Sequence, residues 1–193
     1  IHFVGNTIID TLMYNKDKLK KPSLWYKYGL VEKNYFVLTL HRPSNVDEIE
    51  SLLSILERIS KDSRGLPIVF PVHPRTKKSL LNTDLPDSSI LLVEPQPYLE
   101  FNYLVKNSKA VITDSGGITE EATVLNIPCI TLRDTTERPE TIIIGTNELV
   151  GLDYKQLSSF MKKIFDDEWK SGSIPEKWDG HAAERIVDFL AAY

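Results

Sequence analysis

The segment Asp114-Ser115-Gly116-Gly117 joins a short apolar run to a helical pattern, and its residue types suit phosphate binding. Backbone N–H groups at a helix start have no partner within the helix, and glycines let a phosphate approach them closely. The Ser115 hydroxyl adds a donor, and the Glu121 carboxylate could accept hydrogen bonds from two ribose hydroxyls. The segment therefore predicts a pyrophosphate cradle in a nucleotide site. A helix merely capped by Ser115 is the alternative, since a glycine-rich turn alone is weak evidence.

A dense charged segment runs from Arg133 to Glu140, directly after another buried run. It contains two arginines and three carboxylates, so the loop can form internal ion pairs and still present one guanidinium to a phosphate or a sugar. Arg138 is the predicted binding residue. A solvated surface loop is the commoner fate of a charge run, but this loop is expected at the same sheet edge as Ser115.

Two histidine–arginine pairs, His41-Arg42 and His73-Pro74-Arg75, follow two further apolar runs. A lone histidine is usually structural, yet imidazole and guanidinium groups together suit a phosphorylated ligand, and histidine can move protons near neutral pH. His41, Arg42 and His73 are therefore candidate site residues. A zinc site is poorly supported, because neither cysteine nor paired helical histidines accompany them.

The segment from Glu94 to Phe101 offers an amide, Gln96, and aromatic rings that could hydrogen-bond to a base and stack on it. Gln96 and Phe101 are the candidates. A purely structural interpretation is strong for Phe101, because its helical spacing with Leu104 and Val105 is typical of a core residue.

These polar segments lie where β-rich apolar runs end, and the runs alternate with helical patterns, as in βαβ units of a parallel sheet. Helices are expected to begin near Asp47, Thr76, Pro97 and Gly117. Because the runs are almost continuously apolar, helices should cover both faces, giving an α/β, Rossmann-like, doubly wound sheet whose ligands bind beyond the carboxyl ends of its strands. The predicted strands are Phe36–Leu40, Ile68–Val72, Ile90–Val93, Ala110–Thr113, Cys129–Leu132 and, more weakly, Leu149–Val150.

Both ends of the chain carry further helical patterns. The first runs from a cap at Asn6 or Thr7 to about Leu19, and two more cover Tyr154–Phe165 and Ala182–Leu190. Because the chain opens on Ile1 in the middle of a pattern, it reads as a fragment or a processed piece.

Composition excludes several functional classes. A net charge of -4 and a pI near 5.6 argue against a nucleic-acid or anionic-membrane surface, although a local basic cluster could bind a small phosphorylated ligand. Cys129, the single cysteine, lies in an apolar run and predicts a buried strand in a reducing compartment rather than a reactive thiol. The sequence shows neither a membrane span nor a signal peptide, so we expect a cytoplasmic protein.

The combination of motifs resembles the UDP-N-acetylglucosamine 2-epimerases of the non-hydrolysing bacterial type. The Ser-Gly-Gly turn and the charged segment are highly specific as a pair, and the resemblance extends in order almost to the carboxyl end. The matching segments are Gly5-Asn6-Thr7, His41-Arg42 with Asn45, Gln96 to Phe101, Asp114 to Gly117 with Glu121, and Arg133 to Glu140.

The resemblance implies a GT-B architecture, with two Rossmann-like domains and the active site between them, of which this chain is the second. It implies that UDP leaves by elimination to give a 2-acetamidoglucal, which is reprotonated on its other face while UDP returns. By this resemblance, Ser115, Gly116 and Gly117 would bind the diphosphate, Glu121 the ribose, and Gln96 and Phe101 the uracil. His41 and Arg138 would contact the diphosphate and sugar region. Arg42 and His73 would lie near a second, regulatory UDP-sugar site.

The resemblance also implies an organisation for the chain and its partners. Residues 1–22 would be a hinge or connector helix, 23–180 the UDP-binding domain, and 181–193 a helix packing at the interdomain region. The absent N-terminal domain would supply the carboxylates that move protons at carbon 2, and the full-length protein would be a homodimer. Neither a cofactor nor a metal is implied, and the isolated chain should bind UDP weakly without turnover.

Alternatives stay open at this stage. Pro43-Ser44 stands where an acidic residue is more frequent before Asn45 in the family, which makes the identity of the sugar substrate less certain. Relatives act on UDP-2,3-diacetamido uronic acids, and others hydrolyse the product to free N-acetylmannosamine. A GT-B glycosyltransferase shares the sheet and the cradle but does not require the charged segment, and a nucleotide-sugar-binding module without catalysis is a third reading.

Overall fold

A parallel sheet forms the centre of the molecule, which a computed structural model describes for residues 1–72, 76–77, 80, 83, 85, 87–151 and 156–192, except the side chain of Ser44. Its strand order is β3-β2-β1-β4-β5-β6, and every neighbouring pair is parallel. The order reverses between β1 and β4, so this edge contains the switch point at which doubly wound sheets bind ligands. The strands are β1 Phe36–Thr39, β2 Ile68–Pro71, β3 Ile90–Val93, β4 Ala110–Thr113, β5 Cys129–Thr131 and β6 Asn147–Leu149.

The parallel sheet and the first five strands are confirmed to within one residue at each end, whereas the sixth strand was placed too late in the sequence. It begins at Asn147, a buried polar residue that an apolar pattern could not reveal. The Thr131 hydroxyl donates to the Asn147 side-chain oxygen over 2.7 Å, and the Asn147 amide donates to the Thr141 hydroxyl over 3.2 Å. These bonds replace the hydrogen bonds to water that the amide loses when it is buried.

Helices flank the sheet. The helix starts predicted near Pro97 and Gly117 are correct to within one residue, and the start predicted near Asp47 is correct to within two residues. Thr76 is described as helical, but most of the helix predicted there lies outside the described residues, as does Tyr154. The first helix ends earlier than predicted, at Asn15, and a 3-10 turn follows. The helices are α1 Thr7–Asn15, α2 Ser23–Lys27, α3 Pro43–Val46, α4 Ile49–Asp62, α5 Tyr98–Asn107, α6 Gly116–Val124, α7 Glu140–Ile143, α8 Leu157–Phe165 and α9 Ala182–Ala191.

Both faces of the sheet are buried, as the continuous apolar runs predicted. Phe36 and Leu38 point into a core that includes side chains of α4 and α8, whereas Val37 joins a second core with side chains of α5 and α6. Each fully buried side chain of this size contributes about 1.5–3 kcal/mol. Cys129 belongs to the second core, so its predicted position in a buried strand is confirmed, and burial raises the pKa of its thiol to about 12.

The two ends of the chain pack together beside α6. Asn6 caps α1 by accepting a hydrogen bond from the Ile8 amide over 2.9 Å. The Asp10 carboxylate accepts hydrogen bonds from the amides of Ala182 (3.0 Å) and Ala183 (2.7 Å), so a negative charge lies at the positive end of α9. None of the helices in the described part of the chain is both long and apolar enough to cross a membrane. The three-part domain division stays a prediction.

Candidate functional site

A cleft of about 830 Å³ lies beyond the carboxyl ends of the strands on both sides of the switch point. Its size is that of a typical small-molecule site. Residues after β1, β2, β3 and β4 all contribute to its wall, so the cleft lies where the sequence predicted a ligand. The residues that line the cleft include His41 after β1, Pro71 at the end of β2, Gln96 after β3, and Ser115 and Ile118 at the start of α6.

The connection from β4 to α6 presents the start of a helix to this cleft. The Thr113 hydroxyl accepts a hydrogen bond from the Ser115 amide over 2.9 Å and lies 2.6 Å from the Thr39 hydroxyl, which fixes the turn to β1. Ser115 stands at the N-cap of α6, but its side chain makes no capping hydrogen bond. The alternative of an ordinary Ser-capped helix is therefore wrong, and the first amides of α6 remain donors for an anion.

The glycines at the start of α6 matter because they leave space. Neither Gly116 nor Gly117 has the left-handed backbone that requires glycine. A Cβ atom on Gly116 would come no closer than 3.7 Å to Nη1 of Arg133, and one on Gly117 no closer than 3.9 Å to Cδ1 of Ile8. The fold would accept alanine at either position. What a side chain would remove is the direct access of a ligand to the helix amides.

Asp114 joins the two loops on either side of the switch point. This fully buried carboxylate accepts hydrogen bonds from the backbone amides of His41 (3.1 and 3.2 Å) and Arg42 (2.9 Å) and from the side-chain amide of Asn45 (2.9 Å). Its other contact is Nδ1 of His41 at 2.6 Å. With Nδ1 held by a carboxylate, Nε2 is the ring nitrogen available to a ligand.

Asp114 and Asn45 belong to the motifs found in the sequence, but no function was predicted for either residue. One signal could have found Asp114. It is an acidic residue directly after a strand that the pattern predicted to be buried, next to the Ser-Gly-Gly turn. A buried carboxylate at a strand end needs several donors, and the loop that follows the neighbouring strand is the nearest source of them.

Glu121 lies deeper than expected. Its carboxylate is buried within α6, accepts a hydrogen bond from the Asn102 side-chain amide over 3.4 Å, and is not part of the described cleft wall. Burial raises the pKa of Glu121, against hydrogen bonds from Tyr98 and Asn102 that lower it. Burial and the neighbouring Glu121 raise the pKa of Tyr98. The Oδ1 atom of Asn102 is buried without a hydrogen-bond partner among the described residues.

The charged segment after β5 contains the internal ion pair that its composition allowed. The Arg133 side chain, only 6% exposed, donates from Nη2 to Oε1 of Glu137 over 2.6 Å. The hydrogen bond from Arg133 is the main reason why the pKa of Glu137 is lowered to about 2. Arg133 was not among the site residues predicted from the sequence, which named Arg138 in the same segment.

Arg138 forms an ion pair with a residue of α6, and about half of its side chain is exposed to solvent. Its Nε donates over 2.6 Å to Oε1 of Glu120, whose other oxygen accepts from the Asn6 side-chain amide over 2.8 Å. The buried Glu120 carboxylate thus connects Arg138 with the segment that precedes α1.

The candidate base-binding residues also line the cleft. Gln96 lines the cleft, and its amide nitrogen donates to the Glu94 carbonyl over 2.8 Å. Phe101 lines the cleft as well and also packs against the second core, so it combines the two interpretations that the sequence left open.

The structure therefore brings four of the predicted site residues to the wall of one cleft, namely His41, Gln96, Phe101 and Ser115. Five others are not among its lining residues, namely Arg42, Gly116, Gly117, Glu121 and Arg138. The remaining candidate, His73, lies outside the described residues.

Comparison with known proteins points to one family. The family model described as UDP-N-acetylglucosamine 2-epimerase matches residues 1–191. A UDP-N-acetylglucosamine 2-epimerase of Methanococcus maripaludis is 42% identical over 202 residues, which cover 98% of this chain and 54% of that protein.

Two crystal structures resemble the fold over nearly the whole chain. The UDP-GlcNAc 2-epimerase of Methanocaldococcus jannaschii, in complex with UDP-GlcNAc and UDP, has a TM-score of 0.80 and 40% identity and covers 100% of this chain and 55% of that one. The enzyme of Neisseria meningitidis bound to UDP-GlcNAc has a TM-score of 0.80 and 30% identity and covers 98% and 55%. The predicted second domain of a GT-B fold is confirmed. The chain spans about half the length of the curated relatives it matches.

Proposed function

This chain belongs to the UDP-N-acetylglucosamine 2-epimerase family, and on that premise we propose that it is the UDP-binding half of an enzyme that interconverts UDP-GlcNAc and UDP-ManNAc. One observation carries the proposal. The uncapped start of α6, with Ser115 and two glycines, faces a cleft of about 830 Å³ at the switch point of the sheet. Oriented amides with nearby hydroxyl and cationic groups suit a diphosphate.

The proposed reaction explains why such a half is needed. A base removes the proton at carbon 2, the C–H electrons form the double bond between carbons 1 and 2, and the bond from carbon 1 to the diphosphate oxygen breaks. UDP leaves with that electron pair. A proton then reaches the other face of carbon 2 while UDP adds back to carbon 1. Groups that stabilise negative charge on the leaving diphosphate lower the barrier in both directions, and UDP must stay bound throughout.

The residues divide this task among themselves. Ser115 and the amides of Gly116 and Gly117 bind the diphosphate, while Gln96 and Phe101, which also line the cleft, bind the uracil. Glu121 binds the ribose, which requires its buried side chain to turn toward the ligand and would replace its bond to Asn102. Arg138 contacts the diphosphate and sugar region, since half of its side chain is exposed beside α6.

His41 is the residue of this half placed to take part in chemistry. In the neutral form, Nδ1–H donates to Asp114, so Nε2 is an acceptor toward the cleft, and in the protonated form it is a donor. A donor at this position stabilises the departing diphosphate oxygen. Arg42 and His73 are proposed to contribute to a second, regulatory UDP-sugar site.

The groups that move the proton at carbon 2 are proposed to be carboxylates of the first domain, which this chain does not contain. The isolated chain is therefore expected to bind UDP but to turn over nothing. The complete protein is proposed to work as a cytoplasmic homodimer. Epimerisation by the pure chain would contradict this division of labour.

Calorimetric titration of this chain with UDP tests the proposal. Saturable binding is expected, and Glu121→Ala and Arg138→Ala should each weaken it by roughly tenfold, the effect of losing one charge-assisted hydrogen bond. Glu57→Ala serves as a control, because it removes a glutamate carboxylate from the exposed face of α4, outside the residues that line the cleft. A folded parent chain that does not bind UDP would contradict the proposal.

The reaction itself is tested on a protein that carries both halves. Incubation with UDP-GlcNAc and no acceptor should give an equilibrium mixture with UDP-ManNAc, detectable by proton NMR. Release of free N-acetylmannosamine would identify a hydrolysing epimerase instead, and no change without an added acceptor would favour a glycosyltransferase.

A further inference from the structure

The Glu137 carboxylate lies among three positively polarised groups at the start of α6. Its Oε1 accepts from Nη2 of Arg133 over 2.6 Å and lies 3.9 Å from Nη2 of Arg42. Its Oε2 is 3.9 Å from the point where a Cβ atom on Gly116 would be, and Nη1 of Arg133 is 3.7 Å from the same point. Two guanidinium groups and a helix start are the usual components of a phosphate site.

The two partners of this ion pair differ sharply in burial. The Arg133 side chain is 6% exposed, and its Nε has no hydrogen-bond partner among the described residues. The Glu137 side chain is 69% exposed. A buried guanidinium needs an anion, because an unpaired buried charge is strongly unfavourable. Here the anion comes from a side chain on a surface loop, which can turn into solvent without uncovering any core.

A phosphate can replace a carboxylate at such a position. The planar guanidinium forms the same pair of parallel hydrogen bonds with either group. Glu137 is ionised at every ordinary pH, because the hydrogen bond from Arg133 lowers its pKa to about 2. The ionised carboxylate therefore competes with an incoming anion for the Arg133 guanidinium.

We propose that Arg133 is a phosphate-binding residue, and that Glu137 is an internal competitor that holds the Arg133 guanidinium until the diphosphate of a bound nucleotide displaces it. This inference rests on the proposed function, because it concerns the same UDP site. Competition reduces the apparent affinity to the intrinsic affinity multiplied by the fraction of molecules in which Arg133 is free of Glu137. The exchange keeps Arg133 paired with an anion before and after binding.

If Glu137 is a competitor, removing its acidic side chain should tighten the binding of a phosphate ligand. Glu137→Gln is expected to tighten UDP and inorganic pyrophosphate by roughly two- to fivefold each, the range for loss of an exposed ion pair. Uridine, which has no phosphate, should bind equally to both proteins. Arg133→Lys keeps the charge but loses the planar fork, and it should weaken UDP and pyrophosphate together.

Glu140→Gln is the matched control, since it removes the same charge from the same segment at the first residue of α7. If it tightens pyrophosphate as much as Glu137→Gln does, the effect is one of net charge and the inference is overturned. A parent chain that binds UDP while Glu137→Gln binds it equally or more weakly also overturns the inference but leaves the proposed function intact. Failure of the folded parent and of both variants to bind UDP or pyrophosphate contradicts the inference and the proposed function together.

Discussion

Nδ1 of His41 lies 2.6 Å from the carboxylate of Asp114, a side chain with no exposed surface. The two residues follow β1 and β4, the adjacent strands between which the sheet order reverses. The same carboxylate binds the backbone of the loop that carries His41. The orientation of the histidine and the shape of the cleft therefore depend on one buried negative charge.

Asp114→Asn should destabilise the chain by about 2–4 kcal/mol. The amide cannot accept the set of hydrogen bonds that the carboxylate does, and its N–H₂ group would face the backbone amides of His41 and Arg42. Urea denaturation followed by circular dichroism measures the change. His41→Ala removes only the ring contact and should cost about 1 kcal/mol or less, since the ring is largely exposed. Equal losses for the two variants would show that the backbone bonds to Asp114 contribute little.

Gly116→Ala should separate folding from binding. The residue has an ordinary helical backbone, and its new Cβ would make only normal contacts, so stability should stay unchanged or rise by up to about 1 kcal/mol. UDP affinity should fall at least roughly tenfold, because a methyl group blocks the approach of the diphosphate to the helix amides. Thermal melting and calorimetry on one preparation test both statements. Undiminished affinity would place the diphosphate elsewhere.

Gly5→Ala should be strongly destabilising, by roughly 3 kcal/mol or more. Gly5 has φ +106°, and a Cβ there would clash with the backbone carbonyl oxygen of Lys177. Gly29→Ala is the control, since its φ is +60° and nothing lies within 4 Å of the new atom. That variant should cost only about 1–2 kcal/mol, from the left-handed backbone alone. Similar losses in urea denaturation would mean that the segment before α1 can move away from Lys177.

The raised pKa of Glu121 predicts how stability changes with pH. A carboxyl whose pKa is raised on folding holds its proton more tightly in the folded state, so stability falls as pH rises from the ordinary value of 4.5 through the raised one. Glu121→Gln removes this penalty. It should be more stable than the parent at neutral pH, and the difference should shrink as the pH falls through the raised pKa toward 4.5 and be absent below 4.5. Urea denaturation across this range measures both curves, and a gap that is independent of pH would contradict the prediction.

The sheet could be predicted because strands covered on both faces leave a direct mark on composition. Ala110–Thr113 was located to the residue, since every side chain of this central parallel strand is buried. Ile90–Val93 lies at the edge of the sheet and was located to the residue because all four of its residues are apolar. β6 was misplaced because Asn147 satisfies its amide with threonine side chains brought near only by folding.

The site was predicted less completely, because the choice between neighbouring charged residues depends on burial. Arg133 and Arg138 stand in the same segment, and their order in the chain does not tell which guanidinium lies beneath the surface beside Gly116. Glu121 was expected at a ribose, yet α6 turns its carboxylate inward toward Asn102. Both differences arise from the packing of α6 against its neighbours.

The amino-acid sequence by itself determined the α/β class, the parallel sheet, the position of the cleft and the family. Apolar runs mark the buried strands, and short motifs mark the loops that follow them. Only the tertiary structure decided that Asp114 holds His41, that Glu120 holds Arg138, and that Glu137 occupies Arg133. Each of these is a contact between polar side chains, and two of the three join different segments of the chain. Such pairings are set by which groups lose their water together when the chain folds, and that is a property of distance and burial rather than of sequence order.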